Sequence, residues 1–407
     1  MDKIKQEIIL IGRAMLALDF QNSHSGNISV RAGDEMYITK TGSMKGHLEE
    51  RDICKPGLFK PEYGLFQASS ETGEHRAVLQ YAGAMIHGHA LAVVLLSYIV
   101  DEIVPIDAFG RKFLQSVPVK EYEFPIGSKE MEEEIPIILK EKPVMVVKFH
   151  GPFVRGATLT EAFFNLNLVN HSAEILLQLD HLGIAPAKIV EPRFPDIRVC
   201  YSAEDVREVT DEVLFQQFRR IADDVFHLRL SPFHTGSLSV QDGREMLFAP
   251  AVSVPGDMPF AIRRLPINRE SDDYFENLHR AVYRHSNAKA ALFTLSPEAM
   301  VQSFRSLARG EDRIIPLDAE GGYLYPAVPV VTADEDPKQI IEKAVRYKMV
   351  AIAGLGVLAI GHTPGHTIHH NSSIKSICYF KTQLEMMQKI GRIADCDRYL
   401  CEKGKTW

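Results

Sequence analysis

The sequence predicts an α/β protein in which a mixed, largely antiparallel sheet flanked by helices occurs twice in tandem. Three observations predict it. Amphipathic helical stripes and short apolar strand-like runs are interspersed without strict βαβ alternation. Neither a G-x-G-x-x-G fingerprint nor a P-loop pattern occurs. An ordered series of motifs also returns about 210 residues after its first appearance.

The opening segment carries Ile4, Ile8, Ile11, Met15 and Leu18 on one helical face. Leu214, Phe218, Ile221, Val225 and Leu228 repeat that stripe, each 210 positions later. His24-Ser-Gly-Asn-Ile-Ser-Val30 follows the first stripe, and His234-Thr-Gly-Ser-Leu-Ser-Val240 follows the second. His75-Arg-Ala-Val78 is echoed by His279-Arg-Ala-Val282, and Val104-Pro-Ile-Asp-Ala108 by Ile315-Pro-Leu-Asp-Ala319. Prolines and charges over residues 191–205 interrupt the periodic pattern and mark a boundary. The expected domains are therefore residues 1–195 and 206–395. Within the first, strands are expected at Asn27–Arg31, Glu35–Ile38, Ala84–His89 and Pro143–Phe149. Helices are expected at the N-terminus, around Glu74–Tyr81, after Ala90, and from Thr160 to about Leu182.

Composition excludes several classes. The 407 residues are 45% hydrophobic and 24% charged, the balance of a globular protein. A net charge of −7, spread without blocks, offers no nucleic-acid surface and no basic membrane anchor. The longest strongly apolar run, Ala90–Val100, is too short to span a bilayer. The start, MDKIKQE, alternates charge and lacks a secretory apolar core. Cys54, Cys200, Cys378, Cys396 and Cys401 are an odd and unpatterned set, which points to reduced thiols and a cytoplasmic location.

Chemistry concentrates in Ala68–Ala90, which reads ASSETGEHRAVLQYAGAMIHGHA. On a strand His87 and His89 point the same way, and two neutral imidazoles suit a transition-metal ion such as zinc. Glu71, just upstream, offers a carboxylate at a helix start.

These residues also carry a resemblance. Ser25-Gly-Asn-Ile-Ser29, Thr41-Gly42, Ser69-Ser-Glu71, His87-Gly-His89 and His150-Gly151 resemble, in order, the signature of the class II aldolase/adducin family. The resemblance implies a metal held by His87, His89 and His150, Zn2+ by default with Mn2+ or Fe2+ as alternatives. Three histidines leave a tetrahedral ion one open position, as catalysis needs. The resemblance makes Glu71 the general base on substrate carbon, with the metal stabilising an enediolate. A helix-start carboxylate that merely favours the dipole is the other reading of Glu71. Gly26, Asn27, Thr41, Gly42, Ser69 and Ser70 look like the family's phosphate pocket, since small residues expose N–H groups and hydroxyls donate. The same residues also suit turns and caps.

Two departures stand out. Lys40 precedes Thr41 where the family often has proline, and Lys45 follows closely, so the substrate's anionic group stays open. Sugar-phosphate aldolases of the family place a tyrosine proton donor where this chain has Phe109, leaving Asp107 as a substitute or a turn former.

The second copy resembles the family in pattern but not in chemistry. Aligned, Glu71 meets Phe275, His87 and His89 meet Phe293 and Leu295, His150 meets Leu355, and Thr41-Gly42 meets Ala251-Val252. A metal-free, catalytically silent copy is expected. Family enzymes form four-fold rings, so the resemblance implies a homodimer arranged as a pseudo-tetrameric ring, with Tyr323, Tyr325 and His362 as candidate interface residues. Gly361-His-Thr-Pro-Gly-His-Thr-Ile-His-His370 reads as a solvent or interface loop around a Pro-Gly turn rather than a metal site.

The function this implies is a divalent-metal aldolase, a carbon–carbon lyase acting on a small sugar phosphate or related hydroxy-carbonyl compound. An epimerase, dehydratase or decarboxylase on the same scaffold is the alternative within the class. Outside it stand a non-catalytic adducin-like module and a sugar-phosphate sensor.

Overall fold

The computed structural model describes residues 2–59, 67–199 and 208–394. Cys200, Cys396 and Cys401, and part of the expected boundary over 191–205, lie outside the described residues. The chain divides into two compact units, Met1–Pro105 with Phe109–Glu174, and Ile106–Ala108 with Ile175–Trp407.

The first unit opens with α1 (Lys3–Ala17), whose first turn is capped by the Asp2 carboxylate accepting from Ile4 N–H, and which buries Ile8, Ile11 and Met15. Then come β1 (Asn27–Ala32), β2 (Glu35–Thr39), β3 (Ile53–Cys54), α2 (Thr72–Val78), β4 (Ala84–His87), α3 (Leu91–Leu96) and β5 (Glu102–Ile103). After α4 (Ala108–Phe113) follow β6 (Val117–Lys120), α5 (Lys129–Glu141), β7 (Val144–Val147), β8 (Gly151–Gly156) and α6 (Leu159–Leu182). The eight strands form one sheet in the order β3-β2-β1-β4-β8-β7-β6-β5. Among its pairings only β6 with β7 is parallel. The sheet is mixed and largely antiparallel, as the sequence predicts.

The second unit repeats this plan. It runs α7 (Glu212–His227), β9 (Ser237–Asp242), β10 (Glu245–Ala249), β11 (Arg263–Pro266), α8 (Tyr274–His285), β12 (Ala290–Thr294) and α9 (Pro297–Arg309). It continues with β13 (Arg313–Ile314), α10 (Ala319–Leu324), β14 (Val328–Val331), α11 (Pro337–Tyr347), β15 (Met349–Ile352), β16 (Gly356–Gly361) and α12 (Pro364–Lys389). Its sheet order, β11-β10-β9-β12-β16-β15-β14-β13, matches the first strand for strand. Asn27 pairs with His87 in the first sheet and Ser237 with Phe293 in the second, so these positions correspond.

Three local expectations change. The strand carrying His87 stops there, and Gly88 and His89 lie beyond it. The strand before His150 ends at Val147, because Phe149 adopts a left-handed φ of 66° that reverses the chain into β8. Pro364-Gly365 is also not a turn. Pro364 occupies the first helical position of α12, where its missing N–H costs nothing, and Thr363 caps the helix.

One buried polar contact is common to both units. His75 Nδ1 lies 2.6 Å from Ser29 Oγ, and His279 Nδ1 lies 2.6 Å from Ser239 Oγ, so each imidazole ties a helix to a central strand. Both rings are fully buried, and burial pushes each pKa down to about 3. The unfolded chain therefore protonates first, and stability falls as pH drops from about 6.5 toward about 3. Inside that window each site costs up to about 1.4 kcal/mol of stability per pH unit. Thermal melts across pH 7 to 4 should show this decline, and His279→Gln should flatten its slope.

Candidate metal centre

All ten residues singled out in the sequence line one cavity of about 200 Å3, together with His24, Ser25, Lys40, Lys45 and Ile126. Asp107 and Phe109 are buried and do not line it. Ile126 enters from the loop before α5, where nothing in the sequence pattern marks it.

The imidazoles meet head to head. His87 Nε2 lies 3.1 Å from both His89 Nε2 and His150 Nε2, and the three ligand nitrogens lie within 4.8 Å of one another. His87 Nδ1 is 3.0 Å from the Pro152 carbonyl oxygen. A carbonyl only accepts, so Nδ1 carries the proton and Nε2 presents its lone pair to the cluster. Tetrahedral zinc with bonds of 2.0–2.1 Å would separate its nitrogens by roughly 3.3 Å, close to the spacing found. Burial holds all three rings neutral. His87 lies well below its ordinary pKa, through burial and then the neighbouring imidazoles; burial first and His150 next bring His89 down to about 4; and burial also lowers His150. A set of converging neutral imidazoles fits a divalent cation.

His89 reaches the cluster although it lies past the end of β4. Its N–H donates to Phe20 O at 2.6 Å, while Gly88 N–H donates to Pro152 O at 3.2 Å, and these two bonds set the bend. His150 is aimed by the reversal at Phe149. The ring of His87 stacks on Phe153, with centroids 4.1 Å apart and planes 18° apart.

Glu71 faces this cluster. Its Oε2 lies 3.8 Å from His87 Nε2 and its Oε1 4.0 Å from His150 Nε2. Asn27 Nδ2 donates to Glu71 Oε2 at 2.6 Å and to Ser69 Oγ at 3.0 Å. The carboxyl is 3% exposed, and burial raises its pKa to about 7 against the Asn27 hydrogen bond, with Glu74 adding to the rise. Since Asn27 and Glu71 N–H both point at Ser69 Oγ, that hydroxyl keeps its own proton for a further acceptor. Thr41 instead donates to Ala68 O at 2.8 Å.

Lys45 completes the wall. Its side chain is 1% exposed, and its ammonium donates to Ser43 O at 2.8 Å and His24 O at 3.3 Å. Among the described residues it forms no ion pair, and burial lowers its pKa to about 8. A buried cation without a carboxylate is costly unless an anion visits it.

The second unit separates chemistry from scaffold. Phe275 and Phe293 stand where Glu71 and His87 stand, their rings 4.9 Å apart. The glycines, by contrast, persist. A Cβ on Gly26 would lie 2.7 Å from His87 O, and one on Gly236 2.8 Å from Phe293 O. A Cβ on Gly151 would lie 2.2 Å from Gly88 O, and one on Gly356 2.3 Å from Thr294 O. Gly26 is therefore a packing requirement in both copies, whatever else it contacts.

Comparison with known proteins identifies a family. The family described as the class II aldolase and adducin N-terminal domain matches residues 6–177 and 275–382. An L-fuculose phosphate aldolase of Methanocaldococcus jannaschii is 29% identical over 176 residues, covering 42% of this chain and 95% of that protein. Its counterpart from Escherichia coli is 30% identical over 187 residues, covering 44% of this chain and 82% of that protein. The crystal structure of L-fuculose-1-phosphate aldolase from Thermus thermophilus is 27% identical, with a TM-score of 0.43, over 46% of this chain and 99% of that one.

If Gly26 serves packing, Gly26→Ala and Gly236→Ala should cost similar stability, about 1–3 kcal/mol each from strain at positive φ and backbone contact. Denaturant melts of the two variants provide the check.

Proposed function

We propose that this chain, which belongs to the class II aldolase and adducin family, is a divalent-metal-dependent aldolase whose chemistry resides in the first unit. Its substrate is a small phosphorylated ketose or a related hydroxy-carbonyl compound. The observation that carries this reading is the convergence of Glu71, three imidazoles and a buried lysine on one cavity.

His87, His89 and His150 would hold the ion, which supplies Lewis acidity toward the substrate's carbonyl oxygen. Zinc suits an all-nitrogen set, with manganese and iron as alternatives. Glu71 is the base. It removes a proton from the carbon beside the carbonyl in the condensing direction and returns it in cleavage. Asn27 holds Glu71 Oε2 and so fixes the carboxylate's orientation beside the ligands. The hydroxyl of Ser69 and the ammonium of Lys45 bind the substrate's anionic end, with the turns at Gly42 and Ser70 shaping its seat. The second unit, with Phe275 and Phe293 in the key positions, is silent.

Tyr325 is not available to a neighbouring chain, since it is 1% exposed and its hydroxyl lies 2.8 Å from His370 Nδ1. Tyr323, at 70% exposure, keeps that possibility. The pseudo-tetrameric homodimer is supported by the face beside the metal ligands, where Leu91, Leu95, Tyr98, Ile99 and Phe149 are exposed. Val301, Phe304 and Arg305, which correspond to Leu95, Tyr98 and Ile99, are buried in the second unit. A monomer by light scattering overturns this part. The free thiols of Cys54 and Cys378 support a cytoplasmic setting.

Phe109 favours a second reading within the same scaffold. It is buried and cannot donate a proton, so epimerisation, dehydration or decarboxylation, with other acid groups, competes with aldol cleavage.

A panel of ketose phosphates assayed for carbonyl release tests the proposal. Glu71→Gln should lower kcat by about 10²-fold or more while bound metal, read by elemental analysis, stays at the wild-type level. His87→Ala should lose the metal. Lys45→Met should raise KM roughly ten- to hundredfold, the effect of removing a charged hydrogen bond. Turnover unchanged in Glu71→Gln would sink the aldolase reading.

A further inference from the structure

We propose that the second unit carries a separate binding site for a small phosphate monoester, in the cleft between the end of α8, α11 and the start of α12. The cavity there is about 480 Å3 and is lined by Lys348, His362, His366 and His370, with Asn287 and Ile360 on its walls. No carboxylate is among its lining residues.

The first unit shows what this place holds when it does no binding. β8 and β16 correspond, so Arg155 stands where Ile360 does. The Arg155 guanidinium crosses to the end of α5 and donates to the carbonyls of Leu139 and Lys140. Tyr81, the counterpart of Asn287, donates its hydroxyl to Pro136 O at 2.6 Å. Two long side chains thus fill the gap between helix and sheet. In the second unit Ile360 and Asn287 are too short to do so, and the space stays open.

The same comparison shows one lysine and three imidazoles arriving. Lys348 replaces Pro143, His362 replaces Ala157, His366 replaces Glu161 and His370 replaces Asn165. Glu161 accepts from Ala157 N–H at 2.7 Å and closes the start of α6. That helix start does not need the acid: Thr158 Oγ1 accepts from Glu161 N–H at 3.1 Å, and Thr363 Oγ1 accepts from His366 N–H at 3.3 Å. The cap survives, so folding places no demand for histidine at 366. Lys348 sits at a φ of 70°, where glycine is the default, with its ammonium 5.5 Å from the Tyr325 ring.

The electrostatics are one-signed. Burial first, then His369, Lys348 and His366, pushes the pKa of His370 down to about 4. A phosphate group meets a lysine point charge and imidazole donors here. The cavity is larger than a bare phosphate needs and falls in the range of small-molecule pockets. That volume favours a phosphate carried on an organic body. The site does not depend on the aldolase reading, and it gives the silent unit a role in sensing a phosphorylated metabolite.

Titration calorimetry on the full-length Lys45→Met chain, in which the first unit's cavity has lost its cation, tests this. Fructose 1-phosphate should bind with one site per chain. Adding Lys348→Met and His366→Gln should weaken that binding at least tenfold with the melting temperature unchanged, and Lys348→Arg alone should retain it. Equal binding with and without the added substitutions overturns the proposal, as does the absence of binding in the starting variant. Fructose binding as tightly as its phosphate overturns the anion chemistry. Inorganic phosphate binding as tightly as the ester overturns the monoester assignment.

Discussion

The close approach of β4 to the turn entering β8 is the constraint on which the rest of the site depends. With β4 and β8 antiparallel and His87 opposite Phe153, the reversal at Phe149 must bring the start of β8 within reach of Gly88 O. Only a residue without Cβ fits at 151. That crossing throws His150 toward the strand end from which His87 projects, and it bends the chain so that His89 joins them. The second unit keeps the same crossing with Gly354, at a φ of 67°, and Gly356. The geometry able to gather three ligands is therefore older in the logic of the fold than the ligands themselves. It is a property of the sheet's register, and the side chains at its tip decide what it does.

Much of this was legible in the sequence for a physical reason. Period and turn chemistry are local, so α1, β1, β2, α3 and α6 could be read from stripes and small residues. The duplication added a control that one copy cannot offer: Phe275, Phe293 and Leu295 showed that the fold does not require Glu71, His87 or His89. What escaped was set by longer-range contacts. His89 lies beyond its strand because its N–H pairs with Phe20 O across the unit, not with a neighbouring strand. Asn27 reads as a phosphate contact from its motif, yet its amide is committed to Glu71 and Ser69. The two-residue strands β3 and β5 carry too few residues for a period to show. Ile126 enters the cavity from a loop with no pattern at all.

The cavity in the first unit concentrates unfavourable terms. A carboxyl at 3% exposure, an ammonium at 1% and three imidazoles crowded at 3.1 Å all lose hydration. Buried groups of this kind cost several kcal/mol unless partners compensate them. The partners present are partial: one amide for Glu71 and two carbonyls for Lys45. A cation would compensate the imidazoles and an anion the lysine. Packing does not ask for such an arrangement, and ligand binding does, which is why the polar misfit itself is informative.

The second unit resolved that misfit in the opposite way. Where the first unit sets Glu71 beside His87, Phe275 packs on Phe293, and a pair of aromatic rings contributes burial without any desolvation cost. A unit that carries phenylalanines in place of the ligands has no packing reason to gather polar side chains elsewhere. At the far end of its sheet it does so nonetheless, exchanging Tyr81 and Arg155 for shorter residues and gathering Lys348, His362, His366 and His370 around the opening. Stability gives no reason for that exchange, because Arg155 satisfies backbone carbonyls and Glu161 closes its helix. Giving up the metal chemistry that we propose for the first unit accounts for the phenylalanines but not for the lysine and histidines, which the anion site that we propose does account for.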